Sequence, residues 1–149
     1  MKKQIYMMAT MIVLLTVAGL STAQAQTSGT TELRASIPFE FSIGNQTMPA
    51  GEYVVYCTNP TSGMNVLKLS SRDGRATVMV QTNSVISKKQ ANARLVFNRY
   101  GDQYFFAQAW LPVDSVGMQV SKSRNEKRIT RELAGTGLIR DTVAVSAHR

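Results

Sequence analysis

A catalytic site needs nucleophiles, bases or metal ligands that the fold can bring together, and this 149-residue chain holds few of them. It has one cysteine, Cys57, and one histidine, His148, which excludes an internal disulfide and any site built on two imidazoles. His148 stands next to the C-terminal residue, in what reads as a tail, so Ser-His-Asp or Cys-His catalysis would depend on the end of the chain. No C-x-x-C, H-E-x-x-H, P-loop or G-x-G-x-x-G spacing occurs, and no acidic run has calcium-loop spacing. Among the 9 carboxylates, Asp73 and Asp102 fall in turn sequences and Glu126 in a helix cap, where local backbone bonding accounts for them. Glu40 and Glu52 remain as a pair for acid–base work across a cleft, and their places on or beside strands equally suit a solvent-facing side. The expectation is a non-catalytic protein without cofactor or metal.

Two clusters could serve binding instead. Lys122, Arg124, Lys127, Arg128 and Arg131 gather around a helix sequence, and Arg124, Lys127, Arg128 and Arg131 have the i, i+3, i+4, i+7 spacing that sets four cations on one face. Such a stripe suits an anionic lipid, cell-wall polymer or nucleic acid, or else it is a solvated helix face. No aromatic residue interleaves the charges as base stacking requires, which disfavours nucleic acid. The second cluster is the aromatic content of the strands. Tyr100, Tyr104 and Trp110 are the candidates for a ligand or partner surface, because their polar tips tolerate partial exposure. An ordinary core is the competing reading of the same residues.

The elements that must position these groups are mostly strands. Ile37, Phe39, Phe41 and Ile43 alternate with polar or small residues, as a half-buried strand does, and Pro38 places that strand at a start or an edge. Met48-Pro49-Ala50-Gly51 reads as a tight turn into the strand Tyr53–Cys57, where Cys57 shares a face with Tyr53 and Val55. On that face Cys57 acts as a small buried hydrophobe, with a reactive thiol as the alternative. Asp73-Gly74 marks a hairpin between Met64–Ser70 and Ala76–Asn83. Leu95–Tyr100 and Gln103–Leu111 flank Gly101-Asp102, and Tyr104–Leu111, apolar on both faces, reads as the central strand. Val113–Val120 is one more short strand. Ser123-Arg124-Asn125-Glu126 has capping-box spacing and predicts a helix over residues 124–134, stopped by Gly135-Thr136-Gly137. Residues 135–149 read as a disordered tail.

About seven short strands at close spacing predict a mainly β domain, an antiparallel sandwich or small barrel with a short C-terminal helix. Composition agrees with one globular domain: 44% of residues are apolar and 17% charged, too hydrophobic for a disordered tail. With 17 Lys and Arg against 9 Asp and Glu, the formal charge is +8.

The chain opens with Met1-Lys2-Lys3, a stretch nearly free of charge from Ile5 to Leu20, and the A-x-A pattern ending at Ala25. This is the layout of a signal peptide over residues 1–25, cleaved after Ala25, and it places the protein in the periplasm or outside the cell. An N-terminal membrane anchor is the alternative, but the apolar run is short for a span and ends in small residues. Residues 26–36 then form a flexible N-terminus and 37–134 the domain, with no transmembrane segment once the leader is gone.

Three segments carry a resemblance: Ile37-Pro38-Phe39-Glu40-Phe41 followed by Met48-Pro49-Ala50-Gly51-Glu52-Tyr53, then Leu95 to Phe105, then Ser121-Lys122-Ser123-Arg124 with Glu126. In order and spacing they resemble an uncharacterised family of small secreted bacterial proteins. The resemblance implies a secreted β-rich domain and brings no activity and no functional residue. Two functions therefore remain as expectations: a non-catalytic binding module of the cell envelope, holding an envelope component or a protein partner, and a carrier of a small hydrophobic ligand in a barrel interior.

Overall fold

Leu33, Ala35 and Ile37 are buried while Arg34 and Ser36 between them are exposed, and the same two-residue period recurs in most strands. A computed structural model describes residues 30–58, 65–88, 91–134 and 140–148. The proposed leader, and with it the cleavage site, lies outside the described residues. The elements in chain order are β1 (Thr30–Ile37), β2 (Phe41–Ile43), β3 (Gln46–Met48), β4 (Gly51–Thr58), β5 (Asn65–Ser71), β6 (Thr77–Ile86), β7 (Arg94–Tyr100), β8 (Gln103–Trp110), β9 (Val116–Val120), α1 (Arg124–Ala134) and β10 (Asp141–His148).

The order β8-β7-β10-β1-β4-β5-β6-β9 closes on itself through β8–β9 pairing, giving an antiparallel barrel of 8 strands. A barrel of this size is just wide enough for side chains to fill. Leu33, Val55, Leu67, Leu69, Leu95 and Phe97 are each 0% exposed and belong to one core cluster. The β2–β3 hairpin joins that cluster as a plug, with Phe41, Ile43 and Met48 buried in it. Phe41 meets Tyr53 edge-on at 5.4 Å and Phe97 at 5.3 Å. Tyr53 in turn donates its hydroxyl proton to the Pro49 carbonyl at 2.6 Å, tying the plug's return to β4. β2 also makes one parallel pairing with β8, Ser42 opposite Phe105, so β8 has three strand neighbours and suits its two-sided apolar sequence.

Three sequence expectations need correction. The run from Ile37 to Ile43 is not one strand: β1 ends at Ile37, because Pro38 has no amide proton for a ladder, and the chain turns from the wall into the plug before β2. The first strand begins at Thr30, inside the segment expected to be flexible, since its residues pair one for one with β4 from Thr30↔Thr58 onward. Residues 141–148, expected within a disordered tail, form β10, which sits between β1 and β7 and completes the barrel. Its sequence signal is weak because the inward positions are Val143, Val145 and Ala147, small residues that suit a crowded interior. The Asp73-Gly74 turn joins β5 to β6 as expected, with Gly74 at φ +71, and α1 covers the expected residues. Among the described residues no helix is long and apolar enough to cross a membrane.

Cys57 lies on the inner side of β4, 2% exposed, and burial pushes its thiol up to about 11. Native protein should therefore resist thiol-labelling reagents at neutral pH and react only on unfolding. Because the folded pKa lies above the unfolded one, stability present at neutral pH should fall as the pH climbs from the ordinary thiol value of 9.0 toward about 11. Rapid stoichiometric labelling of the native protein at neutral pH would contradict this burial.

Candidate functional site

The helix is fixed to the barrel by polar groups as well as apolar ones. Ser123 caps it, its Oγ accepting the Glu126 amide proton at 3.1 Å. Capping-box spacing predicts that the Glu126 carboxylate returns the bond to the Ser123 amide. Instead it points into the barrel wall, 3% exposed, where Oε1 accepts protons from Asn98 Nδ2 at 2.8 Å and from the Tyr100 hydroxyl at 3.2 Å. Lys122 Nζ donates to the same hydroxyl at 3.3 Å and lies 5.9 Å from the Tyr100 ring centroid. Beside this network, Ile129 packs with Tyr100 and Phe105, and Leu133 adds a partly buried contact. Two of the three resemblance segments thus meet here: Asn98 and Tyr100 from one, Lys122, Ser123 and Glu126 from the other. The signal that sequence reading missed was a glutamate on the same helix face as Ile129 and Leu133, facing an Asn-x-Tyr strand.

With Glu126 and Ile129 buried, the 100° step between helical residues turns Arg124, Lys127, Arg128 and Arg131 outward, and all four are exposed. Arg128 donates to Asn125 Oδ1 at 2.9 Å and pairs with Glu132 at 3.6 Å, an exposed contact of little energetic weight. Among the described residues, Arg124, Lys127 and Arg131 have no carboxylate partner. The basic stripe is brought together as the spacing predicts, on a helix held from below by a buried carboxylate.

The three aromatic candidates are dispersed. Tyr100 is 5% exposed beneath α1. Tyr104 stacks on Phe39 with centroids 3.9 Å apart, and the Arg99 guanidinium lies 5.6 Å from its ring. Trp110 is 2% exposed and donates its indole proton to Gln108 Oε1 at 3.1 Å. Its ring lies flat against Gly117, directly opposite on β9: a Cβ placed there would come within 2.7 Å of the indole carbons. Gly117→Ala should therefore displace Trp110 and cost about 1–3 kcal/mol, read as a lower denaturation midpoint. A midpoint equal to the parent's would show that the indole has room to move.

Of the remaining chemical candidates, His148 and Glu52 border one concavity, together with Arg34 and Arg72. His148 stands opposite Arg34 at the end of β10. Glu52 holds Arg72 at 2.5 Å and Glu32 holds Arg34 at 3.1 Å, all near the surface. Glu40 is exposed and borders a different concavity, with Phe39 and Tyr104. Among the described residues no three of His, Cys, Asp and Glu gather as metal ligands would. No family model, curated protein or solved structure matches the chain.

Proposed function

We propose that this is an exported, non-catalytic interaction module of the cell envelope, which holds an anionic envelope component on the outward face of α1. The observation that carries the reading is the pairing of that face with its underside: four exposed cations at helical spacing, on a helix anchored through buried Glu126. A rigid platform binds with less ordering cost than a flexible basic tail, and a positive excess over the whole chain steers polyanions toward it. The plugged interior favours this reading over a carrier, which needs an apolar hollow where Phe41, Ile43 and Met48 stand.

Native mass spectrometry on protein recovered gently from its host's envelope fraction separates the two. The interaction module leaves a bare chain or a chain bound to a polyanion or protein. A reproducible small apolar adduct would overturn the reading in favour of the carrier.

A further inference from the structure

Of the 9 carboxylates in the chain, Glu40 and Asp102 alone have neither a hydrogen bond nor an ion pair among the described residues; the others hold arginines, hydroxyls or amide protons. The two border one concavity of about 310 Å³, where the β1–β2 connection, the β2–β3 hairpin, the β7–β8 turn and the start of α1 come together. That volume falls at the lower end of small-ligand sites, about 300–1,000 Å³. No lysine, arginine or histidine lines it. Two arginines adjoin its lining residues and are turned to other partners. Arg99 donates to the Gly101 carbonyl at 2.8 Å, and Arg128 donates to Asn125 Oδ1 while pairing with Glu132.

The other polar side chains of the concavity are a second observation, because they too are unengaged. Ser42, Thr47 and Gln103 make no side-chain hydrogen bond among the described residues, and neither does the half-buried Tyr104 hydroxyl. The buried tyrosines Tyr53 and Tyr100, by contrast, both give their hydroxyl protons to the protein. Asn125 accepts Arg128 on its oxygen and keeps Nδ2 free to donate. The walls are fixed in advance. Gly101 turns the β7–β8 hairpin at φ +61, Ser123 caps the helix that carries Asn125, and Phe39 stacks on Tyr104 at 3.9 Å. A site already ordered loses little freedom on taking a ligand.

These groups set the chemistry of an occupant. Carboxylates accept hydrogen bonds and donate none, so the occupant must donate, and a further negative charge would be repelled. A bare ammonium satisfies the carboxylates but offers no acceptor to the amides of Gln103 and Asn125. Hydroxyls both donate and accept. A ring bearing several of them can bond carboxylates, amides and the Tyr104 hydroxyl together, with its C–H groups against the aromatic rings of Phe39 and Tyr104.

We propose that this concavity binds an uncharged sugar residue of a glycan, with Glu40 and Asp102 accepting from its hydroxyls and Tyr104 as the aromatic contact. The site is separate from the outward face of α1 and does not depend on that face holding an anion.

The test is an NMR titration of the isotope-labelled protein with maltotetraose, cellotetraose and N-acetylchitotetraose. At least one sugar should shift the amides of Asp102, Gln103 and Asn125 and leave those around His148 in place, with an affinity that salt does not change. Glu40→Gln and Asp102→Asn should each weaken that binding about tenfold, because a charge-assisted hydrogen bond becomes a neutral one. Both variants should melt with the parent, since neither carboxylate supports a contact in the fold. No shift with any of the sugars, or equal affinity in the parent and both variants, would overturn the proposal. So would spermidine binding at the same amides as tightly as the best sugar, which would make the concavity a cation site.

Discussion

Glu126→Ala is expected to lower stability by roughly 3–4 kcal/mol and to release α1 from the barrel. The carboxylate is buried, and its Oε1 satisfies two buried donors, Asn98 Nδ2 and the Tyr100 hydroxyl. Alanine leaves both donors without that acceptor, and each loss costs about 1–3 kcal/mol. Glu126→Gln keeps an acceptor oxygen but introduces an amide group where a carboxylate oxygen stood, so it should cost less, about 1–2 kcal/mol. Chemical denaturation gives both values, and helical ellipticity reports whether α1 detaches. If alanine and glutamine cost the same, the hydrogen bonds are not what holds the helix.

Glu126 also shows where sequence reading reaches its limit. Spacing alone places Ser123 and Glu126 in a capping box, and Ser123 caps the helix as expected. The choice of the glutamate side chain between its own backbone and a strand distant in sequence depends on which strand packs beneath, and periodicity carries no such information. The strands themselves were legible where one face is apolar: Val78 and Val80 turn inward from β6 while Thr77, Met79 and Gln81 face solvent, as alternation predicts. Closure was not legible, because β10 pairs with β1 across most of the chain's length and its inward residues are small. For the aromatics, Tyr100, Tyr104 and Trp110 carry polar tips that suit a ligand surface. The structure gives those tips to Glu126 and Gln108 in the first and last cases, and stacks the second on Phe39.

Phe41→Ala should have an effect of similar size, about 3–5 kcal/mol. Phe41 is 1% exposed and is the part of the plug that touches both Tyr53 and Phe97. Phe97 is itself flanked edge-on by Phe39 at 5.1 Å and Phe106 at 5.4 Å, so the wall around the lost ring is rigid and collapses little. The variant should contain an apolar hollow that takes up a molecule such as benzene, and the parent protein should not. Equal uptake by the parent would mean that its barrel is not filled, and would revive the carrier.

The most direct test of the account is a salt titration of binding to isolated host envelopes, comparing the parent protein with the Lys127→Gln, Arg128→Gln, Arg131→Gln variant. Each cation near an anionic surface contributes about 1 kcal/mol, so the variant should bind roughly a hundredfold more weakly at low salt, and rising salt should bring the two together. Binding that is equal in both proteins and insensitive to salt would contradict the claim that the outward face of α1 holds an anionic partner.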